Sequence, residues 1–171
     1  GLAEVFRSLG AEAVVTGGQT MNPSTQDLIR AIDGVANDAV LILPNNSNII
    51  LTAQQASQVT SKQVRVVPTK TMPQGIAALL GFSYQGSLED NYAAMLESSQ
   101  HVETLEITRA VRSVQVNGLD VNEGQFIGIW NDDLKAVAND PLAVVQAVLT
   151  QMDVNQYEIL TVYYGSDVTE Q

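Results

Sequence analysis

Hydroxyl and amide side chains are concentrated in three short loops of the chain's first half. These are Gly17-Gly18-Gln19-Thr20-Met21-Asn22-Pro23-Ser24, Pro44-Asn45-Asn46-Ser47-Asn48 and Pro68-Thr69-Lys70-Thr71-Met72-Pro73-Gln74-Gly75. Side chains of this kind donate and accept hydrogen bonds without carrying charge, and glycine lets backbone amides approach a ligand closely. A helix start after each loop adds partial positive charge, which suits a carboxylate or a phosphate. The candidate ligand- or partner-binding residues are therefore Thr16, Gly18, Gln19, Thr20, Asn22, Ser24, Asn45, Asn46, Ser47, Thr69, Lys70 and Thr71. Arg109 joins them as a possible anion clamp. Arg112, three residues on in a strand pattern, points to the opposite face and toward surface acids. The competing account is structural, because Asn, Ser and Thr also satisfy turns and cap helices.

Catalysis by these loops is not expected, and no catalytic residue is assigned. They contain no GxxxxGK[ST] phosphate-binding pattern, and a magnesium–nucleotide site needs nearby carboxylates, of which the three loops have none. His101 is the only histidine, so imidazole zinc chemistry is not on offer, and Asp132-Asp133 reads as a solvated turn. No metal site is assigned. Met21 and Met72 lie in loops, where they could form a soft apolar rim for a lipid or a partner protein.

The elements around these loops follow from hydrophobic spacing. Leu2, Val5, Phe6 and Leu9 recur at helical spacing before Gly10, and residues 13–16 read as a buried strand. Ser24 or Thr25 caps a helix carrying Leu28, Ile29 and Ile32. Residues 39–43 form a second apolar strand, 49–59 a helix, 64–67 a third strand and 75–80 a small helix. Continuous apolar strands separated by helices imply a parallel sheet covered on both faces. Right-handed crossovers then bring all three post-strand loops to one carboxyl edge, where open α/β sheets bind ligands.

The second half changes character. Ser87 and Asp90 have capping-box spacing ahead of Leu88, Tyr92, Met95 and Leu96. Period-two strands follow from 102 to 137, with turns at Asn117-Gly118 and Asn131-Asp132-Asp133. Phe126 and Trp130 share one face and belong to the core. Asp140-Pro141 starts a helix, and residues 159–163 close the chain as a strand. The fold class is α/β, a parallel three-layer lobe over 1–86 followed by a smaller α+β lobe with antiparallel hairpins over 87–171.

Length and charge narrow the function classes. The chain has 171 residues, 45% hydrophobic and 16% charged, enough apolar content for a real core. Its net charge is -11 with only eight Lys and Arg, which opposes binding to nucleic acid or an anionic membrane surface. No apolar stretch approaches the roughly 18 residues of a membrane span. No secretory signal opens the chain, and the absence of cysteine fits the cytoplasm.

The runs VVTGGQTMNPST (14–25), LILPNNSNI (41–49), VVPTKTMPQGIAALLGF (66–82) and EITRAVR (106–112) carry a resemblance. They resemble the C-terminal region of the ATP-binding subunit of bacterial fatty acid kinase, in the dihydroxyacetone-kinase-like family, across essentially the whole chain. The resemblance implies that ATP and magnesium belong to a separate N-terminal domain, with no cofactor in this segment. It implies a kinase subunit of lipid metabolism that partners a DegV-type fatty-acid-binding protein and can dimerise through the parent chain. The loops also resemble a distant DegV-like fold, with Thr16, Gln19, Pro23 and Ser24 matching its Thr-Ser-Gln-Pro loop. Ser47 and Thr52 match its serine-rich loop in type, but Ile50 and Leu51 replace a small Ser-Gly pair, and their bulk opposes a carboxylate there. The implied function is a non-catalytic module that binds the acyl-carrying partner or assembles the kinase complex. The alternative is a small-molecule module holding a fatty acid or other anion at the carboxyl edge.

Overall fold

The computed structural model describes residues 1–17 and 22–165. The chain divides into two compact units, Gly1–Thr104 and Leu105–Gln171.

The first unit contains α1 (Leu2–Ser8), α2 (Thr25–Gly34), β1 (Ala39–Ile42), α3 (Ser47–Val59), β2 (Gln63–Val66), α4 (Met72–Leu80) and α5 (Leu88–Gln100). β1 and β2 pair in parallel, from Ala39 opposite Gln63 to Ile42 opposite Val66. Successive side chains of β1 enter different cores, whereas β2 turns Val64 and Val66 inward and leaves Gln63 and Arg65 exposed. Val40, Ile42, Val64 and Val66 pack on Leu28, Ile32, Ile49, Ala53 and Ala56 of α2 and α3. Leu41 and Leu43 pack with Val67, Ala78 and Met95.

Helix starts follow the capping residues. Ser24 and Asp27 form a full capping box on α2, and Ser87 and Asp90 form another on α5. Asn46 caps α3, which starts two residues earlier than the apolar spacing suggested, and Thr71 caps α4 with Pro73 in its first turn. Met95 ties α5 to Val67 and Ala78, so the division falls after Thr104, whereas composition placed it near Gly86.

Two expected strands do not form. Residues 13–16 join no ladder, and Ala13, Val15 and Thr16 are exposed, so the parallel sheet has two strands among the described residues rather than three. A short apolar run shows that a segment could be buried in a sheet, not that a free edge is there to receive it. Residues 159–163 likewise form no strand, and Ile159 and Leu160 are each 82% exposed.

The second unit contains β3 (Leu105–Arg109), β4 (Val114–Val116), β5 (Leu119–Val121), β6 (Phe126–Trp130), β7 (Asp133–Ala138) and α6 (Pro141–Leu149), then a 3-10 turn at Val154–Gln156. β3, β6 and β7 form an antiparallel sheet in that order, and β4 and β5 form a separate hairpin. Asn117 (φ 50°) and Gly118 (φ 79°) turn the hairpin with both central residues in the left-handed region. Asn131 (φ 48°) and Asp132 (φ 71°) do the same between β6 and β7. Phe126 and Trp130 pack with Ala136 of β7 and with Val144 and Val148 of α6, confirming their core assignment.

Candidate functional site

β1 and β2 are adjacent and parallel, so the chain leaves both at the same carboxyl edge. The ladder runs one step past the strands, with Val67 N donating to Ile42 O at 3.0 Å. Beyond it the two loops are fastened to each other. Asn45 N donates to Thr69 Oγ1 at 3.1 Å, and Thr69 Oγ1 donates to Asn45 Oδ1 at 2.8 Å. Asn45 adopts φ 56°, a left-handed conformation that asparagine tolerates better than most residues. Thr69 is 1% exposed.

The neighbouring groups are also engaged within the chain. Asn46 Oδ1 accepts from Asn48 N at 2.9 Å, and Lys70 N donates to Gln74 Oε1 at 2.8 Å. Thr71 Oγ1 accepts from Gln74 N at 3.3 Å and shares a 2.7 Å hydrogen bond with the hydroxyl of buried Thr104. Gly75 sits so close to this cluster that a Cβ on it would lie 2.0 Å from Asn45 Oδ1. What remains open to solvent includes Ser47 at the start of α3, Lys70, and Met72, which is 43% exposed.

The first polar loop is only partly in view. Gly18, Gln19, Thr20 and Met21 lie outside the described residues. Thr16 and Asn22 are exposed, and Ser24 serves as the cap of α2. Arg109 belongs to the second unit, where Nη1 donates to Gly124 O at 3.1 Å and the guanidinium lies 4.0 Å from the centre of the Phe126 ring. Arg112 makes no ion pair among the described residues, so the expected surface acid partner is not found.

Sequence reasoning missed three members of the edge cluster. Gln74 and Gly75 lie in the first turn of α4, and a glycine inside a helix start is a local sign of close approach. Thr104 carries no such sign, because only the fold brings it to Thr71 from 33 residues away.

The sequence profile of the FakA-like C-terminal family, the C-terminal part of fatty acid kinase subunits, matches residues 1–171. The chain belongs to this family. This FakA-like region is 43% identical over 171 residues to protein YloV of Bacillus subtilis (strain 168), covering all of this chain and 31% of that protein. It is 37% identical over 170 residues to the uncharacterized proteins SAR1202 and SAUSA300_1119 of Staphylococcus aureus (strains MRSA252 and USA300), covering 99% of this chain and 31% of each. The chain thus spans less than a third of the length of these curated relatives. Among the described residues, no helix is long and apolar enough to cross a membrane, and no group of three or more His, Asp or Glu side chains is placed to hold a metal ion.

Proposed function

We propose that the chain is a non-catalytic module of a fatty-acid-kinase subunit, and that its carboxyl edge binds the acyl-carrying, DegV-type partner protein or assembles the kinase complex. The observation that carries this reading is the mutual Asn45–Thr69 clasp. It stiffens two loops into one preformed surface, and a surface that needs no ordering loses less entropy when a protein docks on it. Exposed Met72 beside the clasp supplies an adaptable apolar contact of the kind found at protein-binding surfaces.

On this reading the first unit is a three-layer, DegV-like lobe of a cytoplasmic enzyme of lipid metabolism, which dimerises through the rest of the parent chain. ATP and magnesium belong to another region of the parent protein. The edge residues here do not fit that role, since its loops contain no carboxylate to hold the metal.

Calorimetric titration of the chain with an acyl-loaded DegV-type protein tests the proposal. Saturable micromolar binding is expected, weakened at least about tenfold by Met72→Asp if Met72 anchors the contact. Full acyl phosphorylation by a parent protein lacking residues 1–171 would overturn it.

A further inference from the structure

The antiparallel sheet of the second unit has two outer strands, and they are not alike. β7 is protected by a bulge. Ile129 stands opposite Leu134 and Gly128 opposite Ala136, so Lys135 falls out of register, and Gln151 Nε2 donates to its carbonyl at 3.4 Å. β3 pairs regularly with β6 over all five of its residues. Just past it, Ala110 N donates to Gln125 O and Ala110 O accepts from Gly124 N, each at 2.8 Å. By alternation Glu106 and Thr108 also face β6, and the N–H and C=O groups of Leu105, Ile107 and Arg109 point to the open side. No strand pairs with that side among the described residues. Such an edge is a template for another strand.

The same unit holds a strand-like segment without a ladder. Residues 158–164 read Glu-Ile-Leu-Thr-Val-Tyr-Tyr, a run rich in β-branched and aromatic side chains with a single charge. Ile159, Leu160 and Val162 are 82%, 82% and 72% exposed. A contiguous apolar surface of this kind marks an interaction site.

Run antiparallel to β3, the segment finds a register that matches charge and apolarity together. With Glu158 opposite Arg109, Leu160 falls opposite Ile107 and Val162 opposite Leu105. Leu105 and Ile107 pack on the α6 core, which Leu160 and Val162 then extend past the present edge. Neither Arg109 nor Glu158 has an ion-pair partner among the described residues. A slip of one residue would set Thr161 against Ile107 and Ile159 against Arg109, losing both matches.

The free edge and the free segment lie in one compact unit, yet within a single chain they do not pair. We propose that residues 158–162 of one copy add antiparallel to the outer edge of β3 in a second copy, and that the second copy reciprocates. The exchange is isologous, so every contact occurs twice. It lies wholly within the second unit. It depends neither on the docking function proposed for the edge of the first unit nor on dimerisation through the rest of the parent chain.

Because the chain has no cysteine, an introduced pair can report the contact. Thr108 and Ile159 are both exposed, and in this register they face each other as a non-hydrogen-bonded pair, the type with the closest side chains. Thr108→Cys chains mixed with Ile159→Cys chains under mild oxidation are expected to give a dimer joined between positions 108 and 159, identified by peptide mass mapping. The unmodified chain should sediment as a concentration-dependent dimer. Leu160→Asp should weaken that dimer at least about tenfold and Glu158→Arg about threefold. Leu160 is exposed in the single chain, so its circular dichroism should not change. A chain that stays monomeric at every concentration would overturn the proposal, as would a dimer indifferent to Leu160→Asp. So would a doubly substituted chain that closes its disulfide within itself, which would mean that the segment folds back on its own β3. Cross-linking of Thr108→Cys by Tyr163→Cys in place of Ile159→Cys would mean parallel addition and overturn the register.

Discussion

Thr69 Oγ1 both accepts from Asn45 N and donates to Asn45 Oδ1, so a single hydroxyl fastens the loop after β2 to the loop after β1. The contact spans 24 residues of sequence and is half-buried. It also holds Asn45 at φ 56°, a conformation that its backbone alone does not favour.

Thr69→Val keeps the shape of the side chain and removes both bonds. It leaves the Asn45 amide N–H without its acceptor in a half-buried setting, which costs about 1–3 kcal/mol. Urea unfolding should show a lower midpoint with an unchanged slope. Thr69→Ser, which retains the hydroxyl, should recover most of the loss.

Gly75→Ala pits helix propensity against sterics. Alanine gains about 0.8–1 kcal/mol over glycine inside a helix, whereas overpacking costs about 1–3 kcal/mol. Here the new methyl would meet Asn45 Oδ1 at 2.0 Å, and the Asn45 amide cannot swing away without giving up Thr69. A net loss of about 1–2 kcal/mol is expected. In a double-mutant cycle Gly75→Ala and Thr69→Val should be non-additive, because both break the same contact. Additive losses would mean that Gly75 acts elsewhere.

What could be read from the sequence was whatever depends on neighbours along the chain. Ser24 as a cap, Ser87 with Asp90, and Asn117-Gly118 announce helix starts and a turn through chemistry confined to a few residues, and each stands where expected. The apolar residues of β1 and β2 indicated parallel strands, and with them the shared edge that carries Asn45 and Thr69; cover on both faces was expected too, but Gln63 and Arg65 of β2 are exposed. Features that need a distant partner were not legible. Residues 13–16 have strand-like composition but no ladder, and the Thr71–Thr104 hydroxyl pair exists only because α5 returns the chain to the edge. Arg109 offered a charge that could point anywhere; its stacking on Phe126 depends on the pairing of β3 with β6.

The α2 capping box gives a pH prediction. Ser24 Oγ donates to Asp27 Oδ2 at 2.6 Å and Ser24 N donates to the same oxygen at 3.1 Å, holding the Asp27 carboxyl below the usual aspartate range. A carboxylate depressed in the folded state adds stability that is fully present above its unfolded value, about 3.9, and is lost as pH falls through the lower folded value. Ser24→Ala removes the hydroxyl donor, so the Asp27 pKa followed by NMR should rise toward the ordinary range. The stability gap between wild type and variant should narrow as pH falls below about 3.9. A gap that widens there would have the wrong sign.

Two glycines of the second unit separate backbone strain from steric strain. Gly118 has φ 79° at the hairpin turn, and a Cβ there would meet nothing within 4 Å. Gly118→Ala should therefore lose only the conformational cost of a left-handed residue, about 1–2 kcal/mol. Gly118→Asn, which tolerates that region, should lose less. Gly128 is the opposite case, with no left-handed φ but with Val144 and Val148 in the way. Both valines are fully buried and cannot retreat, so Gly128→Ala should cost about 1–3 kcal/mol through overpacking. Shortening Val148 to alanine should then relieve part of that loss, since the added methyl would fill the space vacated. If Val148→Ala instead adds its full cost to Gly128→Ala, α6 does not press on β6 at this point, and the close packing of helix on sheet inferred for the second unit is wrong.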